Sequence, residues 1–226
     1  MSRWTSSSID SASIDLHEDH ALPTVVVNVW FNVGSANERV GRTGFAHFFE
    51  HLLFEGSENI GRGEFSKYVE KAGGVLNANT NGDRTYYYEV LPSNQLELGL
   101  WLESERMLHA RVDQKGVDTQ REVVKEEYRQ RVLASPYGRL FNGIAPASYR
   151  VHPYRRPSIG SIEDLDSATL ADVVAFHAAQ YRPDNATLVV TGDFEPAQLQ
   201  AWVDRYFGPL KRPEQPVPRR LTPTVA

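Results

Sequence analysis

The stretch GFAHFFEHLLFEG, residues 44–56, places His47, Glu50 and His51 in an H-x-x-E-H pattern within an otherwise oily segment. At 100° per residue, a helix carries His51 about 40° to one side of His47 and Glu50 about 60° to the other. All three then share one arc of about 100°. Phe45, Ala46, Phe48, Phe49, Leu52, Leu53 and Phe54 fill nearly every other direction, and a helix that is apolar all round is a buried one. Two imidazoles and a carboxylate therefore sit inside the protein, where polar groups need partners. A divalent cation bound by histidines at i and i+4 satisfies them. Histidines hydrogen-bonded to core carbonyls are the competing reading. With 7 His in 226 residues, chance supplies this pattern about 0.02 times per chain, which favours chemistry. Thr43 is the expected N-cap of this helix, over residues 43–54.

A catalytic metal site of this kind takes three protein ligands and leaves a position open. With no cysteine in the chain, thiolate sites, disulfides and thiol nucleophiles are excluded, and any metal must be held by His and carboxylate. His17, His20, His109, His152 and His177 have no evident partner in the sequence. In VDTQREVVKEEYRQRV, residues 117–132, helical phase puts Glu127 about 40° from Val123, within the arc of Val123, Val124 and Tyr128, whereas Glu122 and Glu126 fall outside it. A carboxylate facing the core asks for a cation. A buried arginine is the alternative to a metal there.

At 226 residues and 41% hydrophobic, the chain can bury a core without help from cross-links. Its longest apolar stretch, residues 25–33, contains Asn28 and Asn32 and is far short of the roughly 18 residues a membrane span needs. A formal charge of -5 gives no footprint for nucleic acid or anionic lipid. Neither kind of partner is expected. Without an apolar leader in MSRWTSSSID, cytoplasmic location is the expectation.

Residues 1–13 hold six serines and are expected to be a flexible tail. Residues 209–226, with five of the 13 prolines, read as an extended linker towards a second, absent domain. Between them, over residues 14–208, strands are expected at 25–33, 75–81, 84–91 and 187–191. Helices are expected at 43–54, 63–72, 93–109, 116–134, 161–179 and 196–207. The fold class is α+β, a mostly antiparallel sheet covered by helices.

HFFEHLLFEGS, GGVLNANTNGDRTYYY, REVVKEE placed 76 residues after His51, HPYRRPSIGSIEDL and YRPDNATLVVTGDF together resemble the pitrilysin-type (M16) inverted-zinc metallopeptidases, over residues 14–210. The resemblance implies one Zn2+ per chain held by His47, His51 and Glu127, with Glu50 as general base. It also implies that the strand containing Asn77, Ala78, Asn79 and Thr80 binds an extended peptide, although Asn77 and Asn79 can instead bond locally. The implied function is a zinc endopeptidase domain or subunit acting on peptides or unfolded chains. Its partner would be a second M16-type domain or subunit, since such enzymes close two homologous domains around the substrate. The alternative is a non-cleaving peptide-binding or scaffold module that pairs with another M16-type subunit. One departure stands out: Gln120 occupies a position, seven before Glu127, where the family often has a second acid. Its charge is then absent or supplied by Asp118 or Glu122.

Overall fold

The computed structural model describes residues 3–9 and 12–218; residues 219–226 of the proline-rich run lie outside the described residues. Six strands form one sheet. They are β1 (Arg3–Ile9), β2 (Ala12–Glu18), β3 (Thr24–Phe31), β4 (Val75–Thr80), β5 (Thr85–Pro92) and β6 (Ala186–Gly192), in the order β1-β2-β6-β3-β5-β4. Neighbours are antiparallel except β2 and β6. The α+β class with a largely antiparallel sheet is therefore the fold of this chain.

Period-two alternation decides which side is covered. Val25, Val27, Val29 and Phe31 of β3 point inward, together with Tyr87, Glu89 and Leu91 of β5, while Trp30 on the opposite face is exposed and stacks on Tyr86 at 6.0 Å. Eight α-helices are described: α1 (Phe45–Leu52), α2 (Phe65–Lys71), α3 (Leu96–Leu108), α4 (Gln114–Tyr128), α5 (Gly138–Ser148), α6 (Ile162–Ser167), α7 (Leu170–Gln180) and α8 (Pro196–Phe207). On the inward face α3 lies so close to the sheet that a Cβ at Gly99 would come within 2.9 Å of both Leu91 and Val27. From α7 onwards, Tyr181 packs its ring 5.1 Å from Phe31. Helix α1, which carries His47, Glu50 and His51, packs on β4 and β5, and α4 packs on α1.

Several expectations need correcting. Thr43 is not the N-cap of α1: Gly44 occupies that position with φ 88°, and the Thr43 hydroxyl donates to Asp164 instead. The serine-rich start is not a free tail, because residues 3–9 form β1 and pair along their whole length with β2. Strand pairing is carried by the main chain, so a composition that offers little apolar surface does not prevent it. The helix expected at 161–179 is two, α6 and α7, divided where Thr169 and Asp172 form a reciprocal capping box. The helix expected at 116–134 begins at Gln114, with the Asp113 side chain accepting from the Gly116 amide, and ends in a π-helical turn, Arg129–Ala134. Within the proline-rich run, residues 211–218 form no helix or strand. They are nevertheless tied down: Leu210 is buried, and Arg182 donates to the carbonyl oxygen of Gln215 at 2.6 Å.

Candidate metal centre

The oily sequence of α1 buries Phe45, Phe48, Phe49 and Leu52, so the helix is fixed on all sides and its polar residues have little freedom. Tyr87 donates its hydroxyl to the carbonyl oxygen of Phe49 at 2.8 Å, and Tyr181 donates to that of Ala46 at 3.2 Å. Beyond the helix end, the fully buried Arg106 of α3 donates to the carbonyl oxygen of Leu53 at 2.6 Å. Arg106 is enclosed by the rings of Phe54, Phe65 and Tyr87 and is paired with Glu103. Glu89 lies against the same guanidinium, and burial together with the neighbouring Glu103 pushes its carboxyl well above the ordinary range.

The geometry brings His47, His51 and Glu127 together. His47 Nε2 lies 3.4 Å and His51 Nε2 3.2 Å from the same oxygen, Oε2 of Glu127. Among the described residues this is the cluster able to hold a metal ion, with its ligand atoms all within 4.8 Å of one another. A tetrahedral site with bonds of about 2.0–2.1 Å has donor-to-donor edges of about 3.3 Å. The residues therefore fit a divalent ion in donor type and in spacing. Burial pushes the Glu127 carboxyl up, but hydrogen bonds and charge from His47 and His51 outweigh it and hold the group far below the usual carboxylate range. Glu127 Oε2 faces the histidines, while Oε1 pairs with Arg131 at 2.7 Å. That arginine is largely exposed rather than buried, with 73% of its side chain accessible.

Glu50 accepts no hydrogen bond among the described residues. Together with His47 it lines a cleft of about 920 Å³. Residues 77–83 line the same cleft, Asn77, Ala78, Asn79 and Thr80 among them. These four belong to β4, which among the described residues is the edge strand of the sheet, paired with β5 alone. Asn77 Oδ1 accepts from the Ala78 amide at 2.8 Å, and Asn79 Oδ1 accepts from Arg84 at 3.1 Å. In this structure both asparagines thus make the local bonds that were the alternative to peptide contact. Phe141, Ala145 and Tyr149, from α5 and the residue after it, line it too.

Gln120 carries no charge to the His47, His51 and Glu127 cluster. Its side-chain amide donates to Glu55 Oε1 at 2.5 Å, and Arg62 donates to the other oxygen of Glu55 at 2.6 Å. Neither proposed substitute is turned towards the site: Asp118 pairs with Arg121 and Glu122 with Lys125. The carboxylate that Gln120 meets comes from Glu55, just past α1. Glu55, Arg131 and Tyr154, which also lines the cleft, escaped the sequence reading. All three lie inside quoted stretches, Glu55 in GFAHFFEHLLFEG, Arg131 in VDTQREVVKEEYRQRV and Tyr154 in HPYRRPSIG, but none was singled out.

The fold thus sets a His-His-Glu cluster able to hold a metal ion beside a cleft. The chain belongs to the insulinase family, Peptidase family M16, whose model matches residues 14–161; that of the Peptidase M16 inactive domain matches residues 167–226. The zinc protease PqqE of Helicobacter pylori is 36% identical over 187 residues, covering 83% of this chain and 42% of that protein. The mitochondrial-processing peptidase subunit beta of Saccharomyces cerevisiae is 26% identical over 196 residues, 86% of this chain and 42% of that one. The crystal structure of a protease from Helicobacter pylori superposes with a TM-score of 0.94 at 32% identity, over 98% of this chain and 54% of that chain. The chain thus spans about half or less of the length of these relatives.

Proposed function

We propose that this chain is the metal-bearing part of a zinc endopeptidase that cleaves peptides or unfolded polypeptides, and that it works with a second M16-type domain or subunit. The observation that carries the reading is the convergence of two Nε2 atoms on one oxygen of Glu127, beside a cleft walled by Glu50 and the edge strand β4. His47, His51 and Glu127 would hold the ion. When bound, such an ion polarises the scissile carbonyl and brings the pKa of water towards about 7.

The remaining work falls to the chain. Glu50 takes the proton from the attacking water and returns it to the leaving amine. The unpaired edge of β4 receives the substrate as a further strand through main-chain bonds, which tolerate many sequences. Asn77 and Asn79 exchange their local bonds for substrate, while the small side chain of Ala78 lets the peptide backbone approach. The far wall of the chamber is left to the second domain, in keeping with the share of the relatives that this chain spans.

The test is turnover of an unstructured peptide by wild type and Glu50→Gln, each with and without a second M16-type half. The expected result is that Glu50→Gln keeps its metal and loses about 10²-fold or more in rate. Full activity in that variant overturns the assignment of the base. Bound zinc without turnover in any sample supports the non-cleaving peptide-binding module instead.

A further inference from the structure

We propose that Glu38 is the positioning residue of the metal helix, a carboxylate supplied from the preceding loop that caps α1 and ties it to the tip of the substrate-strand hairpin. The inference rests on the proposed metal role of His47 and His51.

A helix start leaves its first amides without intrahelical partners, and a side chain at the N-cap ordinarily takes one of them. The N-cap of α1 is Gly44, which has no side chain to offer. It cannot readily be replaced, since its φ is 88° and a Cβ there would come 2.8 Å from the carbonyl oxygen of Ile159. Glu38 fills the gap from six residues upstream. Oε2 accepts from the Gly44 amide and Oε1 from the Ala46 amide, each at 2.9 Å. One carboxylate thus takes the N-cap and N2 amides together, in place of the N-cap and N3 amides that a capping box shares between two side chains. The second of these amides belongs to the residue immediately before His47.

Glu38 is buried, with 4% of the residue exposed, and a carboxyl is costly to keep in such a place. Burial pushes it up, and the Ala46 and Gly44 amides and Arg156 pull it back towards the charged form that accepts both bonds. Glu38 is itself held by its main chain. Arg156 donates to the carbonyl oxygens of Glu38 and Ala36, and the Ser35 hydroxyl donates back to the carbonyl oxygen of Arg156 at 3.2 Å. The same short segment meets the β4–β5 turn: the amides of Ser35 and Ala36 donate to the carbonyl oxygens of Asn81 and Gly82 at 3.0 and 2.9 Å. Residues 34–38 form a strut with the cleft edge at one end and the start of the metal helix at the other.

The test is zinc titration of the metal-free wild type and Glu38→Gln in competition with a chelating dye, with circular dichroism to establish that each is folded. Glutamine keeps the size but presents an NH2 donor to one of the two amides. The expected result is at least a tenfold weaker zinc affinity in folded Glu38→Gln, as for loss of a group that orients ligands. Affinities within twofold of each other overturn the proposal, even if the variant melts earlier. A wild type that binds no zinc overturns the metal reading, and this proposal falls with it. Should Glu38→Gln fail to fold, wild-type hydrogen exchange decides. Zinc should slow the Gly44 and Ala46 amides at least tenfold more than that of Val203 in α8, and equal slowing overturns the proposal.

Discussion

The Tyr87 hydroxyl donates to the carbonyl oxygen of Phe49 at 2.8 Å, joining the strand beside the cleft edge to the middle of the metal helix. Tyr87 is fully buried, and burial raises its phenol far above its usual range, so it serves only as a donor. Tyr87→Phe keeps the ring and removes this bond. A stability loss of about 1 kcal/mol is expected, read from the shift of a urea unfolding midpoint with unchanged slope.

Arg106 is a different case, because its guanidinium stands between two buried carboxylates. Arg106→Met leaves Glu89 and Glu103 without their cation, and a loss of about 3–5 kcal/mol is expected at pH 7. Burial and Glu103 already raise the Glu89 carboxyl, and loss of the cation raises it further, so the penalty is smallest at low pH, where Glu89 is protonated with or without Arg106, and grows as pH rises. Denaturant titrations of wild type and variant at pH 4.5 and pH 7 measure this; a penalty independent of pH contradicts the role assigned to Arg106.

His177 of α7 lies against Phe49 and Tyr181, with ring centroids at 5.5 and 5.8 Å. Burial lowers it to about 4 from 6.5. The unfolded chain therefore takes up a proton that the folded chain refuses between these values. Stability is full above pH 6.5, falls as pH drops towards 4, and levels off below it, with a slope of at most about 1.4 kcal/mol per unit from this one group. His177→Phe keeps a ring in the stack and should flatten that limb of a melting-temperature profile; an unchanged limb assigns it to other groups.

Gly44→Ala tests the entry to the metal helix independently of Glu38. The positive φ and the contact with Ile159 together lead us to expect a loss of about 2 kcal/mol. A melting temperature equal to that of wild type would mean that the turn before α1 relaxes without strain.

The helix 45–52 was legible because its apolar residues surround the three polar ones, so periodicity, burial and chemistry agreed. Glu127 was legible for a partly different reason than supposed. The inward face of α4 is centred on the buried Val117 and Val124, and Val123, taken as the origin of the apolar arc, is 44% exposed. Glu127 still falls at the edge of the true face. The helix α5 went unread because Gly143 and Pro146 interrupt it and its large residues, Leu140, Phe141 and Ile144, are exposed rather than packed in the core. A residue such as Glu38 leaves no periodic trace: a single acid in a loop acquires its meaning only when the chain folds back on the amides of Gly44 and Ala46.

The most direct test of the metal centre is the zinc content of dialysed wild type beside that of Glu127→Ala, measured by elemental analysis. About one zinc per wild-type chain, and far less in the variant, is the expected result. No zinc in wild type, or equal zinc in both proteins, would contradict a site built from His47, His51 and Glu127.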